Sequence, residues 1–502
     1  MNITSLPEEM LREIFSILPF RDLLHCSLIC VQWHRIAEPL IYRRACVRIG
    51  LDMVGQDQTF WEAARQYHTV IVDNPPCSRR SLVNLLMLPC MVIFKPKEII
   101  LRNFVEESLH KFCRHGHRLF EQAESVCVEL NDIRHNYPHE DAEEFIFSYP
   151  AMKHLVWDQY LLANGRNTMI VDAPLLQTAV VDDSVDTNTS KLHIIRCEQL
   201  QHVRCRLRSK SFEHIFCSSF QRLHTLCLDV HNHLCIILPN ELPGLKWLEL
   251  SVNRDFTPSE IENIFMYSKL IGLKLVQLHS ETQHPINLNH MFFKLPEIES
   301  VELSGLYLDA HNTIDAHNMK LLKMKNIKLV LPLLTFSAPK LEVLSVCENN
   351  LITLSIVSNE KLLKKLFVEV NDRDWKKVTS MQLQPFLQMQ DSIDELTLVR
   401  SNKGILCDSA FFDQPLKIDY LKLHGFDISC DFVENAQHWR HLKRLILSDC
   451  CIVCRCKTNQ CTRLNDFEGR LTQSTDVPDV VVRRSHKKSC KHIFGKNSIN
   501  PL

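Results

Sequence analysis

The chain has 502 residues, 45% hydrophobic and 23% charged, with a formal net charge of −1; this suits a globular protein with no overall field toward nucleic acid or an anionic membrane. Glycine is scarce, 11 residues in all, about 2% against a usual share of about 7%. No G-x-G occurs, and the one G-x-x-x-x-G (Gly50 to Gly55) runs into Gln56-Asp57 where a phosphate-binding loop needs Lys and then Ser or Thr, which disfavours P-loop, dinucleotide-binding and kinase enzymes.

The N-terminus has neither a basic start nor an apolar run, so no secretory leader is expected. Ser5-Leu6-Pro7-Glu8 is a capping-box pattern, with Pro7 suited to a first turn. Leu11, Ile14, Phe15 and Leu18 follow at i, i+3, i+4 and i+7, the stripe of an amphipathic helix. Pro19-Phe20-Arg21-Asp22 interrupts it, and Asp22 is the expected start of a second helix. That helix carries Leu23, Leu24, Ser27 and Leu28, with Cys30, Val31, Trp33, Ile36, Ala37 and Leu40 beyond it. Two or three short helices cannot bury a self-sufficient core, so part of this apolar surface is expected to meet a partner.

Leu6-Pro7-x-Glu9-x-Leu11-x-x-Ile14-Phe15-x-x-Leu18, then Asp22-Leu23-Leu24, Ser27, Cys30, Trp33 and Ala37, resembles an F-box, with Ile29 where that pattern usually has Val. The resemblance implies a short three-helix module over residues 1–48 that docks on the Skp adaptor of a cullin ubiquitin ligase. It also implies that Leu6, Pro7, Leu11, Ile14, Phe15, Leu18, Leu24 and Trp33 form or support the adaptor-binding surface. The same residues are what the core of a small helical domain needs.

Beyond residue 70 one phrase recurs, apolar-x-x-apolar-x-apolar. Its strict leucine form starts at Leu223, Leu245, Leu270, Leu303 and Leu442, and the Leu303 match overlaps a looser one in another register. The middle apolar residues are Val126, Leu155, Ala179, Val203, Leu226, Leu248, Leu273, Val301, Ile327, Leu344, Leu354, Leu366, Leu396, Leu421 and Leu445, with fainter matches at Val70 and Ile99. Most gaps are about 22 to 30 residues, the period of leucine-rich repeats. Around Leu344, Leu354 and Leu366 the step shortens to about ten or twelve. Asn or Cys three residues past the last apolar position (Asn131, Asn253, Asn349, Asn359, Asn371, Cys450) is suited to satisfying backbone groups where the chain leaves the sheet. Between strands the expectation is helix, best marked at Thr257-Pro258-Ser259-Glu260 with Ile261, Ile264 and Phe265 on one face. Such units bury their apolar face only by stacking.

The whole resembles F-box proteins with leucine-rich repeats. The expected fold is α/β: a short N-terminal three-helix F-box, a leucine-rich-repeat solenoid (horseshoe) with irregular repeats over 60–450, and a basic, cysteine-containing tail over 451–502, expected to be flexible.

In such a horseshoe the concave face carries the residue between the two inward positions. In order these are Cys127, Val156, Val180, Arg204, Cys227, Glu249, Lys274, Glu302, Lys328, Ser345, Ser355, Phe367, Thr397, Lys422 and Ile446, apolar early and alternating in charge later. A substrate surface is placed at Arg204, Glu249, Lys274, Glu302 and Lys328, with Trp247 and Phe367 as aromatic anchors; charges that only solvate the sheet fit the same pattern. His110-x-x-Cys113-x-His115-x-His117 and the tail residues Cys451, Cys454, Cys456, Cys461, His486, Cys490 and His492 carry hints of zinc-ligand spacing, but neither is a clean finger. No metal or cofactor is therefore expected. No catalytic motif appears either, and the 21 cysteines, odd in number, point to free thiols in a reducing cytoplasmic or nuclear setting. What the resemblance implies is a non-catalytic substrate receptor of an SCF-type (Skp, cullin, F-box) ligase, partnered by the adaptor and a target protein, with no membrane or nucleic acid. The alternative is a non-ligase scaffold that uses its F-box only to join an adaptor complex.

Overall fold

The computed structural model describes residues 6–50, 67–74, 95–104, 109, 112–114, 117–130, 144–159, 168–183, 191–207, 215–217, 220–231, 238, 242–278, 284–330, 333–347, 353–357, 363–370, 393–400, 406–407, 418–429, 432, 442–448, 450–453 and 479–483. The chain divides into two compact units, Met1–Leu245 and Lys246–Leu502.

The first unit opens with helices α1 (Glu8–Ile17), α2 (Phe20–Ser27) and α3 (Val31–Arg44). Both α1 and α2 start directly after a proline, Pro7 and Pro19, whose carbonyls accept the first helical bonds from Leu11 (3.1 Å) and Leu23 (3.0 Å). Asp22 therefore lies inside the first turn of α2 instead of starting it, and Glu8 pairs with Arg12 at 2.7 Å. Ser5 lies outside the described residues. At α3 the Cys30 sulfur caps the helix by accepting the Trp33 N–H at 3.5 Å.

Directly after α3 the chain enters a parallel ladder with eight strands among the described residues: Cys46–Gly50, Thr69–Asp73, Glu98–Phe104, Ser125–Leu130, His154–Gln159, Thr178–Asp183, His202–Leu207 and Thr225–Val230. Val47, Val70, Ile99, Val126, Leu155, Ala179, Val203 and Leu226 fall in one register row, and all are buried. The first apolar residue of each phrase has its own task. Met152, Leu176, Leu200 and Leu223 are buried, and each donates its N–H to the carbonyl three residues back, closing the turn that feeds the strand.

The return path meets the expectation of helices in the first unit at His117–Phe120 and otherwise departs from it among the described residues. Between ladder strands the first unit runs through a second parallel sheet, Glu144–Ser148, Thr168–Asp172, Lys191–Ile195 and Phe216–Cys217. Its strands are rich in Ile and Phe with period-two burial, as in Phe145 and Phe147 inward with Ile146 outward. The rings of Phe147 and Trp157 lie 6.2 Å apart, so the core fills the space between the two sheets.

Among the described residues the second unit has ten ladder strands: Trp247–Val252, Gly272–Gln277, Ser300–Ser304, Leu321–Lys325, Val343–Cys347, Lys365–Val370, Ile393–Arg400, Ile418–His424, Arg444–Ser448 and Asp479–Arg483. The inward row reads Leu248, Leu273, Val301, Leu322, Leu344, Leu366, Leu396, Leu421 and Leu445, with Val480 next in register. Two expected members are thereby corrected. Ile327 yields to Leu322, because Met319-Leu322-Met324 and Met324-Ile327-Leu329 both satisfy the local phrase and only the first aligns with Val301 and Leu344. Leu354 belongs to a separate small sheet, paired with Leu334 in Leu333–Ser337. With both reassigned, the short steps vanish. The ladder also extends beyond the expected limits: its first strand is Cys46–Gly50, before residue 60, and Asp479–Arg483, placed above in the flexible tail, pairs with Arg444–Ser448.

Helix returns occur here at Pro258–Phe265 and Leu288–Lys294. The first has the expected capping box: Thr257 accepts from the Glu260 N–H, Glu260 accepts from the Thr257 N–H at 2.8 Å, and Ile261, Ile264 and Phe265 are buried. Buried Glu260 is also paired with Arg254, which offsets its desolvation. Cys450 donates to the Leu423 carbonyl of the preceding repeat at 3.4 Å, the turn role expected of it. Asn131, Asn349, Asn359 and Asn371 lie outside the described residues. Two of the few glycines, Gly305 and Gly425, follow ladder strands at φ 71° and 81°, and a Cβ there would collide with the carbonyls of Gln277 and Arg400. Among the described residues no helix is long and apolar enough to cross a membrane.

Candidate functional site

Three short helices bury a small core first. Leu11, Phe15, Leu23, Trp33, Ile36, Ala37 and Ile41 make it up, with the Phe15 and Trp33 rings edge-on at 5.1 Å. Of the eight residues expected at an adaptor surface, Leu11, Phe15 and Trp33 are therefore interior. Leu6, Ile14, Leu18 and Leu24 are half-buried against that core, and Pro7 is exposed. The interior three can act only as support for whatever docks outside. Arg44, in the last turn of α3, donates to the carbonyls of Ser16 and Leu18, fixing α3 to the C-terminal end of α1, where a positive charge is favoured.

What the helices present to solvent is a different apolar set. Ile17 (81% exposed), Leu28 (83%) and Val31 (77%) stand out, with Met10, Phe20 and Ile29 also exposed. These six are drawn from only fourteen exposed large apolar side chains among all the described residues, a concentration within residues 10–31 that solvation alone does not favour. They sit along α1 and at the α1–α2 and α2–α3 corners. Sequence reasoning passed them over, although Met10, Ile14 and Ile17 at i, i+4 and i+7 form a second stripe beside the core-facing one. Residues 3–48 match the family model described as F-box-like. The chain carries an F-box-like domain. No curated protein matches the sequence at a significant level.

The second candidate surface is the outward face of the ladders. In the second unit Glu249, Lys274 and Glu302 occupy one register row as expected, and the next member is Lys323. Lys328 does not belong to that row. It lies in the two-residue strand Lys328–Leu329, paired with Tyr307–Asp309, because the ladder takes the Leu322 register. The charges neutralise one another along the row: Lys274 reaches Glu249 and Lys323 reaches Glu302, each at 2.6 Å. Half-buried Phe367 stands between Ser345 and Thr397. Trp247 stands beside Gly272, and a Cβ at that glycine would collide with the indole ring. Arg204 is on the first unit, exposed, in register with Val180 and Cys227; the expected surface is thus divided between two units.

Along one edge of the first ladder Glu124 accepts from Lys97 (2.7 Å) and Lys153 (2.8 Å), and those hydrogen bonds hold its carboxyl down at about 2. Cys113 is not poised for chemistry. Burial pushes the Cys113 thiol up to about 12, beside the Tyr149 hydroxyl at 3.4 Å, which keeps it protonated and unsuited to metal. Its expected companions His110 and His115 lie outside the described residues, as do Cys454, Cys456, Cys461, His486, Cys490 and His492. Among the described residues no group of three or more His, Cys, Asp and Glu side chains is placed to hold a metal ion.

Proposed function

We propose that this chain is a substrate receptor of an SCF-type cullin ubiquitin ligase. Its F-box-like helices dock the Skp adaptor, its repeats are of the leucine-rich class, and one of their outward faces holds a target protein for ubiquitination. The observation that carries the reading is the set of exposed apolar side chains, led by Ile17, Leu28 and Val31, on the segment that matches the F-box-like family. The repeated phrase, with its buried inward rows and a spacing of about 21 to 30 residues between most ladder strands, supports the leucine-rich class. The receptor acts by proximity, holding target lysines near a ubiquitin-charged enzyme, and carries no catalytic group of its own. It acts in the cytoplasm, the nucleus or both.

Immunoprecipitation of the full chain tests this. Adaptor and cullin are expected together, and both are expected to vanish on Ile17→Asp with Leu28→Asp. Recovery of adaptor without cullin would instead favour an adaptor-bound scaffold. The core substitutions Leu11→Ala and Trp33→Ala are poor probes, because both residues are interior and their truncation unfolds the module.

A further inference from the structure

The outward face of the first unit differs from a merely solvated sheet. Its middle row, between the two inward rows, reads Ile71, Ile100, Cys127, Val156 and Val180 on five consecutive strands in register. All five are partly exposed. Burial pushes the Cys127 thiol up to about 11, so it stays neutral and behaves as a small apolar group. At the strand spacing of a parallel sheet this apolar row runs about 19 Å.

The next outward row beside it is acidic. Asp73, Arg102, Glu129, Asp158, Asp182, Arg206 and Asp229 follow one another across the strands, five carboxylates against two guanidiniums. Most are matched within the protein. Arg48 pairs with Asp73, Arg102 with Glu129 at 3.1 Å, and Arg206 with Asp182 (2.7 Å) and Asp229 (3.2 Å). Asp158, one residue beyond Trp157 and two beyond Val156, has no ion pair among the described residues, and its Oδ1 is buried without a hydrogen-bond partner. Burial, then Asp182 and Glu129 on the adjoining strands, push its carboxyl above the ordinary range. Arg206, whose ion-pair partners are Asp182 and Asp229, offsets part of that repulsion, and a cation supplied from outside relieves the rest.

We propose, resting on the receptor reading above, that the row Ile71–Ile100–Cys127–Val156–Val180 is the target-binding surface, and that it takes a short apolar protein segment carrying a Lys or Arg that seats on Asp158. The apolar row supplies burial, and the surplus carboxylate fixes the register of the segment.

The test uses the full chain co-purified with its adaptor, and as probe a displayed library of random 16-residue peptides. Selection is expected to enrich peptides with an aliphatic or aromatic core and a Lys or Arg at a fixed offset. Val156→Asp and Asp158→Arg, each at unchanged melting temperature, should weaken an enriched peptide about tenfold or more. Exchanging that peptide's basic residue for Glu should restore its binding to Asp158→Arg. Peptides that ignore both substitutions, or a selection that enriches none, overturn the proposal. So does self-association of the chain that Val156→Asp abolishes, which would assign the face to a second copy. Adaptor retention on the same preparations separates the two levels: if the chain holds adaptor and cullin but the peptide result is negative, only the assignment of the face fails. Loss of the receptor reading would show as absent adaptor and cullin.

Discussion

The two units share an inward design and differ outward. Leu155 in the first and Leu273 in the second occupy equivalent rows, both buried. One residue further on, the first unit shows Val156 beside the unmatched Asp158, whereas the second shows Lys274 paired to Glu249. Stacking requires the inward residues and leaves the outward ones free. An outward row that neutralises itself serves solubility and keeps the sheet from associating. An outward row that leaves apolar area exposed beside a partly desolvated carboxylate with no ion pair among the described residues is instead suited to being covered by a ligand.

The largest expected effect tests the shared half of this comparison. Leu155→Ala and Leu273→Ala should each destabilise their unit by about 2–5 kcal/mol, while the neighbouring outward changes Val156→Ala and Lys274→Ala stay within about 0.5 kcal/mol; denaturant unfolding reads both. Equal costs inward and outward would mean the burial pattern is wrong. A smaller effect tests the contrast. A double-mutant cycle on Glu249 and Lys274 should return a coupling of about 0.2–1 kcal/mol that fades with salt. A cycle on Val156 and Asp158 should return none in the absence of a ligand. The smallest effect lies at Glu124. Its carboxyl is lowered from 4.5 to about 2, so its contribution is present in full above its unfolded value and is lost as pH falls through the folded one. The group is well exposed, and solvent screens most of the gain. Thermal unfolding of Lys97→Met with Lys153→Met should show a shallower decline than the native chain between those two values.

Much of this was legible in the sequence, and what was not has physical reasons. The F-box pattern and the rows through Val126 to Leu248 were readable because one apolar phrase repeats at a fixed stride. The register at Ile327 was not, since two overlapping phrases satisfy the same local rule and only the neighbouring strands choose Leu322. The second sheet was hidden for a related reason: Phe145-Ile146-Phe147 alternates with period two and does not carry the longer phrase of the ladder strands. The Asp479–Arg483 strand was lost among basic residues. At the helices, motif residues such as Leu11, Phe15 and Trp33 suit both a docking surface and a small core, and a small module spends its largest apolar side chains on its own interior. The apolar side chains it leaves exposed are ones the motif writes as x, such as Met10 and Ile17.

The most direct test of the receptor reading is calorimetric titration of purified Skp adaptor into the full chain. The native chain should bind with a single site. Ile17→Asp with Leu28→Asp should weaken binding by about a hundredfold or more, as loss of a central apolar anchor does, with the melting temperature unchanged because both residues are exposed. Undiminished binding by that variant, or no binding by the native chain, would contradict the account.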